Sequence, residues 1–244
     1  MIPLFKSDYS IGRSILKLKA SSDEEESSDG IFDIVKEAGL KEVFLVEDSM
    51  IGFLNAAKLS ESLGVQLIFG YRFTIHSDVE IPASRHKLII FAKNGQGCKD
   101  LYKLYTAFNS VKDRVIDYPL LHANLTDNLL LVNPFYDSFL FYNSLYLGNC
   151  IPDFRGIKPL FFVENNDLPF DNLLRKTVEA YADKNDIVET KSIFYKHRSD
   201  AEALQTYKII CNRSFGKTKT LSAPNLNHFG SREFCWESFL DNAR

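Results

Sequence analysis

Two adjacent carboxylates, Glu47 and Asp48, are the residues of this chain best placed to do chemistry. They follow the run Val43 to Val46, which is apolar, partly β-branched and short, as expected of a buried parallel strand. Loops at the carboxyl ends of parallel strands line the active cleft of α/β folds. A carboxylate here could therefore bind a cation, with Asp8 near the start of the chain as a third candidate ligand.

Asp48 also stands just before a helix that the sequence predicts to begin at Met50. An oxygen acceptor at that place, from Asp48 or Ser49, caps backbone N–H groups that have no partner within the helix. We expect capping, with ion pairing and metal binding as the alternatives.

Other common catalytic patterns are missing from the sequence. The four cysteines form no C-x-x-C pair, and none of the five histidines forms an H-x-H or H-x-x-x-H pair, so no zinc site arises from local spacing. Gly216-Lys217-Thr218 copies the end of a phosphate-binding loop, but Cys211 stands where the first glycine is required. We expect neither a zinc site nor a phosphate-binding loop.

Composition indicates a globular protein. The chain has 244 residues, 45% of them hydrophobic, and its 20 phenylalanines are explained by a Phe-rich core. Its net charge of −3 offers no basic field for unassisted binding to a nucleic-acid backbone. With no signal peptide and no apolar run long enough to span a bilayer, we expect a reduced, cytoplasmic setting.

The elements that position the carboxylates form one βαβ unit between Lys41 and Thr74. Met50, Phe53, Leu54 and Ala57 recur at helical spacing and predict the inward face of its helix. A second strand, Gln66 to Phe73, follows the break at Gly64, and a right-handed crossover is the default.

Strands and helices alternate along most of the chain, which predicts one α/β barrel-like domain. The remaining predicted strands are Ile2 to Phe5, His86 to Ala92, Leu129 to Asn133, Pro159 to Glu164 and Asp186 to Thr190. The remaining predicted helices run from Ile31 to Gly39, Cys98 to Val111, Phe135 to Leu147 and Asn172 to Ala182, with a last helix after a capping box at Ser199 to Glu202. We assign residues 1–215 to the barrel, with a solvated acidic loop at 20–30, and residues 216–244 to a C-terminal extension that packs on the barrel or leads out of it.

Several segments, taken in order, resemble the PHP domain of bacterial DNA polymerase III alpha subunits. They are PLFKSDYS, AGLKEVFLVEDSMIGFLNAAKLSESLGVQLIFGYRF, KLIIFAKNGQGCKDLYKL, NLLLVNPF and DAEALQTYKIICNRSFGK, within Pro3 to Trp236. The resemblance implies a distorted (βα)7 barrel with mostly parallel strands. Active members of that family hold metal ions with His, Asp and Glu side chains at the carboxyl ends of the strands, where the metals activate water and steady phosphoryl oxygens.

The resemblance also implies that this chain has lost most of those metal ligands. The family's H-x-H motif falls on Leu4 and Lys6, its Asp-His pair on Glu47 and Asp48, its strand-end glutamate on Arg72, its next histidine on Lys87, and its last motif on Lys191 to Phe194, including Ser192. His86 is one residue out of register with Lys87, so we expect it at the surface or at a strand end. We take Tyr9 to be a core residue.

Three of the substitutions replace a ligand by a fixed positive charge. Lys6, Arg72 and Lys87 would repel a divalent ion, although each could instead extend into solvent. Arg72 is a plausible ion-pair partner for Glu47. The resemblance therefore implies a cleft with no catalytic residues and no bound metal or other cofactor.

The function expected on this basis is structural. A catalytically inactive PHP-like domain would dock onto replication proteins, namely the polymerase core or the proofreading exonuclease subunit, with nucleic acid bound only as part of a complex and no membrane contact. The alternative is a metal-dependent phosphoesterase or 3′–5′ exonuclease that uses Glu47, Asp48 and Asp8 around one ion. A third possibility is a generic α/β protein with an unassigned pocket.

Overall fold

The computed structural model describes residues 1–20, 29–81, 84–111, 115–211 and 230–242. The described strands are β1 (Ile2–Phe5), β2 (Glu42–Glu47), β3 (Gln66–His76), β4 (Arg85–Ala92), β5 (Leu129–Asn133), β6 (Leu160–Val163) and β7 (Ile187–Ile193). The helices are α1 (Ile31–Glu37), α2 (Phe53–Leu63), α3 (Gly95–Ser110), α4 (Tyr118–Asn124), α5 (Phe139–Leu145), α6 (Asp171–Tyr181), α7 (Ala201–Cys211) and α8 (Trp236–Asn242).

The seven strands of the described residues close into a barrel in chain order. Strand β1 pairs in parallel with β2 and β7, and β6 pairs in parallel with β5 and β7. The expected α/β barrel with mostly parallel strands is confirmed. The chain divides into two compact units: the first comprises Met1–Ile68, Asn165–Pro169 and Thr190–Arg244, and the second comprises Phe69–Glu164 and Phe170–Glu189.

Strand β4 departs from the parallel pattern. It runs antiparallel to both β3 and β5, with Phe73 opposite Leu88 and Ala92 opposite Leu129. A parallel connection needs a crossover of a dozen or more residues, whereas β3 ends at His76 and β4 already begins at Arg85. The apolar run of β4 predicted a buried strand and carried no information about its direction.

The predicted inward face of α2 is wrong. Its buried residues are Ala56 and Ser60, whereas Leu54 is exposed and the helix begins at Phe53 rather than Met50. Met50 is itself buried, but in the turn before the helix. The prediction counted Met50 as part of the helix, and it therefore assigned the wrong residues to the buried face of α2.

Two other helix starts differ from the sequence expectation. Helix α5 begins four residues late because Asp137 adopts a left-handed conformation, with φ of 63°, and Ser138 caps the helix by accepting from the Phe141 N–H. The capping box before α7 pairs His197 with Asp200 instead of Ser199 with Glu202. Helix α1 ends as expected near Gly39, whose φ of 63° suits glycine.

Several predictions fall on residues that the structure does not describe. Residues 21–28 of the acidic loop, the Gly216 to Thr218 triplet and the boundary at 215/216 lie outside the described ranges, so the domain boundary stays a prediction. Within the first unit, Trp236 of α8 stacks on Phe5 of β1 with ring centroids 5.7 Å apart.

Candidate functional site

Glu47 is the last residue of β2 and is fully buried, so it does not belong to the following loop. Its carboxylate accepts the Ser7 N–H at 2.8 Å and the Ser10 hydroxyl. The Ser10 oxygen in turn accepts the Asp48 N–H at 2.9 Å. Burial raises the pKa of Glu47 above its ordinary value, while the charge of Lys6 and the two serines oppose that shift. Glu47 thus fixes the turn after β1.

Asp48 forms an ion pair with Lys6. The Lys6 Nζ lies 3.2 Å from Asp48 Oδ1, with side chains 7% and 29% exposed, and Arg13 Nε lies 3.9 Å from the other carboxylate oxygen. The capping prediction for Asp48 and Ser49 is wrong, because Gly52 precedes the first residue of α2 and no side chain caps that helix. The alternative prediction for Asp48, an ion pair, is therefore confirmed. Lys6 points inward and does not extend into solvent.

The other candidate positions of the first unit lie along β1 and β7. Leu4 is buried and stands opposite Ser192 in the strand register. Lys191 is almost fully buried, and its ammonium donates to the Asn165 carbonyl at 2.8 Å. Phe194 is buried just beyond β7 and stacks on Phe234, with ring centroids 5.4 Å apart. The unit therefore brings Leu4 and Ser192 together, but neither supplies a charged ligand.

In the second unit, Arg72 pairs with Asp137, a residue that the sequence analysis did not single out. The Arg72 Nη2 lies 2.5 Å from Asp137 Oδ2, and the two side chains are 11% and 13% exposed. The Asp137 carbonyl also accepts the Lys87 N–H at 2.7 Å, and the Lys87 ammonium donates to the Thr74 hydroxyl at 2.6 Å. The hydrogen bonds of Glu47 within the first unit come from the two serines, and the pairing of Glu47 with Arg72 stays a prediction.

A local signal for Asp137 does exist in the sequence. It follows a buried strand and directly precedes Ser138, a good helix cap, in the segment Phe135-Tyr136-Asp137-Ser138. Aspartate is among the few residue types that tolerate the left-handed conformation found there. That signal predicts a turn, but the pairing of Asp137 with Arg72 depends on the tertiary structure and is not predicted by the local sequence.

Two further expectations are corrected. His86 lies at the start of β4, as the strand-end alternative expected, but it is buried rather than at the surface, and its Nε2 lies 2.9 Å from the Tyr118 hydroxyl. Burial lowers the pKa of His86 to about 4. Tyr9 is exposed rather than in the core, and its ring lies so close to Gly52 that a Cβ there would approach within 2.7 Å. The Tyr9 ring covers the start of α2, and only glycine leaves room for it.

Asn133, the last residue of β5, is a second residue that the sequence analysis did not single out as functional. Its side chain is almost fully buried, and neither the amide nitrogen nor the amide oxygen has a hydrogen-bond partner among the described residues. Such a group costs free energy unless something pairs with it. The strand-end position was predicted, but the burial of the amide was not.

The remaining donors do not fit a metal centre. Within the described ranges, no group of three or more His, Cys, Asp or Glu side chains is arranged to hold a metal ion. Glu47 is engaged by two serines and Asp48 by Lys6, while burial raises the pKa of Asp8 and so disfavours its charged form. The carboxylates of the alternative hypothesis therefore do not form a ligand set.

Comparison with known proteins shows a distant structural likeness and no likeness in sequence. No family model and no curated protein sequence matches the chain. Among solved structures it is similar to a "putative metal-dependent phosphoesterase" from Bifidobacterium adolescentis, with a TM-score of 0.37, 10% identity, and coverage of 78% of this chain and 87% of that one. Among the described residues, no helix has both the length and the apolar character needed to cross a membrane.

Proposed function

We propose that this chain is a PHP-like barrel domain without catalytic activity that docks onto proteins of DNA replication. The replication setting comes from the ordered sequence segments that resemble the PHP domain of DNA polymerase III alpha subunits. The loss of activity is supported by the side chains at the positions where that family holds its metals. The partners that this proposal names are the polymerase core and the proofreading exonuclease subunit.

The ion pair of Lys6 with Asp48 is the observation that carries the proposal. Lys6 is buried, and its ammonium lies 3.2 Å from one of the two carboxylates that could still bind a cation. A lysine ammonium there supplies the positive charge that a metal would supply, without the ability to activate water. A divalent ion would have to displace Lys6 and would then be repelled by it at close range.

The alternative is a metal-dependent phosphoesterase or 3′–5′ exonuclease, the first of which matches the name of the structural neighbour. A likeness at 10% identity and a TM-score of 0.37 does not transfer an activity. The donor set also disfavours it, because Glu47, Asp48 and Asp8 include no histidine and the described residues bring no third ligand to any such group.

Metal content and hydrolysis test the loss of activity. The purified chain, supplied with zinc or manganese and then desalted, should retain less than one ion per chain and should not cleave a labelled oligonucleotide or a chromogenic phosphodiester. Manganese-stimulated cleavage that disappears in Asp48→Ala would establish the alternative. The variant Lys103→Ala, at an exposed position of α3, controls for nonspecific effects of substitution.

Docking is tested separately by capture of purified polymerase core and exonuclease subunits. The side chains to change first are Ile51 and Leu54 at the start of α2, which are 73% and 65% exposed. We expect Ile51→Asp with Leu54→Asp to weaken capture at least tenfold, whereas Leu173→Asp, at an exposed position of α6, should not. No capture of either subunit by the unaltered chain would refute the docking role.

A further inference from the structure

A groove of about 340 Å³ opens in the second unit at the amino ends of β5 and β6. Lys93, which follows β4, lines it beside the start of β5, because Ala92 pairs with Leu129. Residues 155–158, just before β6, form another wall. Asn133 and Asp137 lie at or beyond the carboxyl end of β5, so the groove is at the opposite end of that strand from the candidate site.

The groove combines partly exposed apolar side chains with exposed cations. Leu125, Leu130 and Ile157, each partly buried, contribute its apolar surface. Lys93, Arg155 and Lys158 are exposed side chains at the same groove. Its volume and this combination are typical of sites for small ligands, in which apolar surface holds the body and a few polar groups fix the orientation.

Each of the three cations is anchored and still has hydrogen-bond donors to offer. The Lys93 ammonium donates to the Asp127 carbonyl at 2.9 Å, and the Lys158 ammonium lies 3.0 Å from Asp186. Arg155 donates through Nε and Nη2 to the two oxygens of Asp153, at 2.8 and 2.7 Å. A lysine has three donors and an arginine five, so each cation is held in place while some of its N–H groups remain available.

The backbone supports this placement. Gly156 has a φ of 74°, which turns the chain directly after Arg155 and which favours glycine. His122, on α4, lies 3.1 Å through Nε2 from the Asp153 carbonyl, so the residue that anchors Arg155 is itself tied to a helix. The Arg155 side chain therefore extends from a fixed point.

We propose that this groove binds a small phosphate monoester. Three separately anchored donors suit the three terminal oxygens of a phosphate group better than the two oxygens of a planar carboxylate. Asp153 and Asp186 pair with Arg155 and Lys158, and Asp127 also lines the groove, so acidic residues offset the three cations and the groove lacks the strong positive field that attracts a nucleic-acid backbone. Ligand recognition would then depend on where the N–H donors of Lys93, Arg155 and Lys158 lie, and this favours a compact ligand over a nucleic-acid backbone.

Binding of adenosine monophosphate to the full chain tests the proposal, measured by calorimetry with a chelator present so that metal-dependent hydrolysis plays no part. Inorganic phosphate probes the head group, adenosine probes the body without the phosphate, and benzoate probes a carboxylate. We expect saturable binding of adenosine monophosphate and phosphate, and none of adenosine or benzoate.

Charge-removing variants locate the binding. Lys93→Gln and Lys158→Gln should each weaken the binding of adenosine monophosphate about tenfold, as expected for the loss of one charge-assisted hydrogen bond. Lys103→Gln removes the same charge from α3 outside the groove and should leave the affinity within twofold. Circular dichroism checks that the variants are folded.

Three results would overturn the proposal. The first is no saturable binding of either phosphate compound at millimolar concentration. The second is equal weakening by the groove variants and by Lys103→Gln. The third is binding of a single-stranded oligonucleotide, steeply reduced by salt, without binding of adenosine monophosphate.

Discussion

The two units of the barrel each pair a carboxylate with a basic residue, but they do so at different depths. In the second unit Arg72 and Asp137 are both largely shielded from water, whereas in the first unit Lys6 is shielded but Asp48 keeps part of its surface exposed. A charge that loses its partner in a shielded place cannot be compensated by solvent. The second pair should therefore matter more for stability, although the sequence identified both members of the first pair, Lys6 and Asp48, and only Arg72 of the second.

The two units also contain buried groups that respond to pH in opposite directions. In the first unit, burial raises the pKa of Glu47, so its contribution to stability is present at low pH and is lost as the pH rises through that value. In the second unit, burial lowers the pKa of His86, so its contribution is present at neutral pH and is lost as the pH falls. The difference arises because burial favours the neutral form of both groups.

The largest expected effect is that of Asp137→Asn. Asparagine tolerates the left-handed backbone at this position and keeps the carbonyl that accepts from Lys87, so the variant removes mainly the charge opposite Arg72. We expect a loss of about 4 kcal/mol in the free energy of unfolding, from chemical denaturation. Asp48→Asn is the matched control in the first unit, with an expected loss of about 1 kcal/mol. Equal losses would remove the distinction between the units.

His86 should make the protein sensitive to acid. Its ordinary pKa of 6.5 falls to about 4 in the folded chain. Between those two values the unfolded chain binds a proton that the folded chain does not, so the free energy of unfolding should fall by roughly 3 kcal/mol as the pH drops from about 6.5 to about 4. His86→Gln should flatten that part of the stability profile. A profile of unchanged slope would show that other groups cause the acid loss.

Asn133→Leu should raise the free energy of unfolding by about 1 kcal/mol, because the amide has no hydrogen-bond partner to lose and leucine has a similar shape. Leu131→Ala in the same strand is the control and should destabilise by about 3 kcal/mol. Destabilisation by Asn133→Leu would show that a bound water or ligand pairs with the amide in solution.

The smallest effect is expected for Glu47→Gln. Removal of the ionisable group should abolish the loss of stability that the buried carboxylate causes as the pH rises through its raised pKa. The difference in unfolding free energy between variant and wild type should therefore move in favour of the variant from acidic to neutral pH. Asp48→Asn should not reproduce that trend, because Asp48 is half-exposed and paired. A trend of the opposite sign would mean that Lys6 and the serines outweigh burial.

Strands and helices with strong local patterns were predicted closely. Strand β5 has the predicted bounds, and α1 ends at Glu37, two residues before the predicted glycine. Predictions failed at the starts of two helices. Met50 fits the hydrophobic periodicity of α2 but lies before the helix, and the backbone conformation of Asp137 delays the start of α5. Helix starts depend on one or two backbone angles, which hydrophobic periodicity does not report.

The sequence identified several residues of the candidate site, but it did not identify most of the contacts that these residues make. Lys6 and Asp48 were both identified as candidate residues. The sequence left open whether Lys6 points inward or extends into solvent, and the structure shows that it points inward. The pairing of Arg72 with Asp137 was not predicted, and the burial of His86 was missed. Resemblance to a family assigns positions along the chain, but it does not predict which long side chains contact each other.

By itself the sequence determined the alternation of strands and helices, the barrel class, and the placement of carboxylates at the end of β2, because these follow from local hydrophobic periodicity and chain order. Only the tertiary structure decided the direction of β4, the pairing of Arg72 with Asp137, and the burial of Glu47, His86 and Asn133. The physical reason is that burial and ion pairing depend on residues distant in sequence, whose mutual approach is fixed only when the barrel closes.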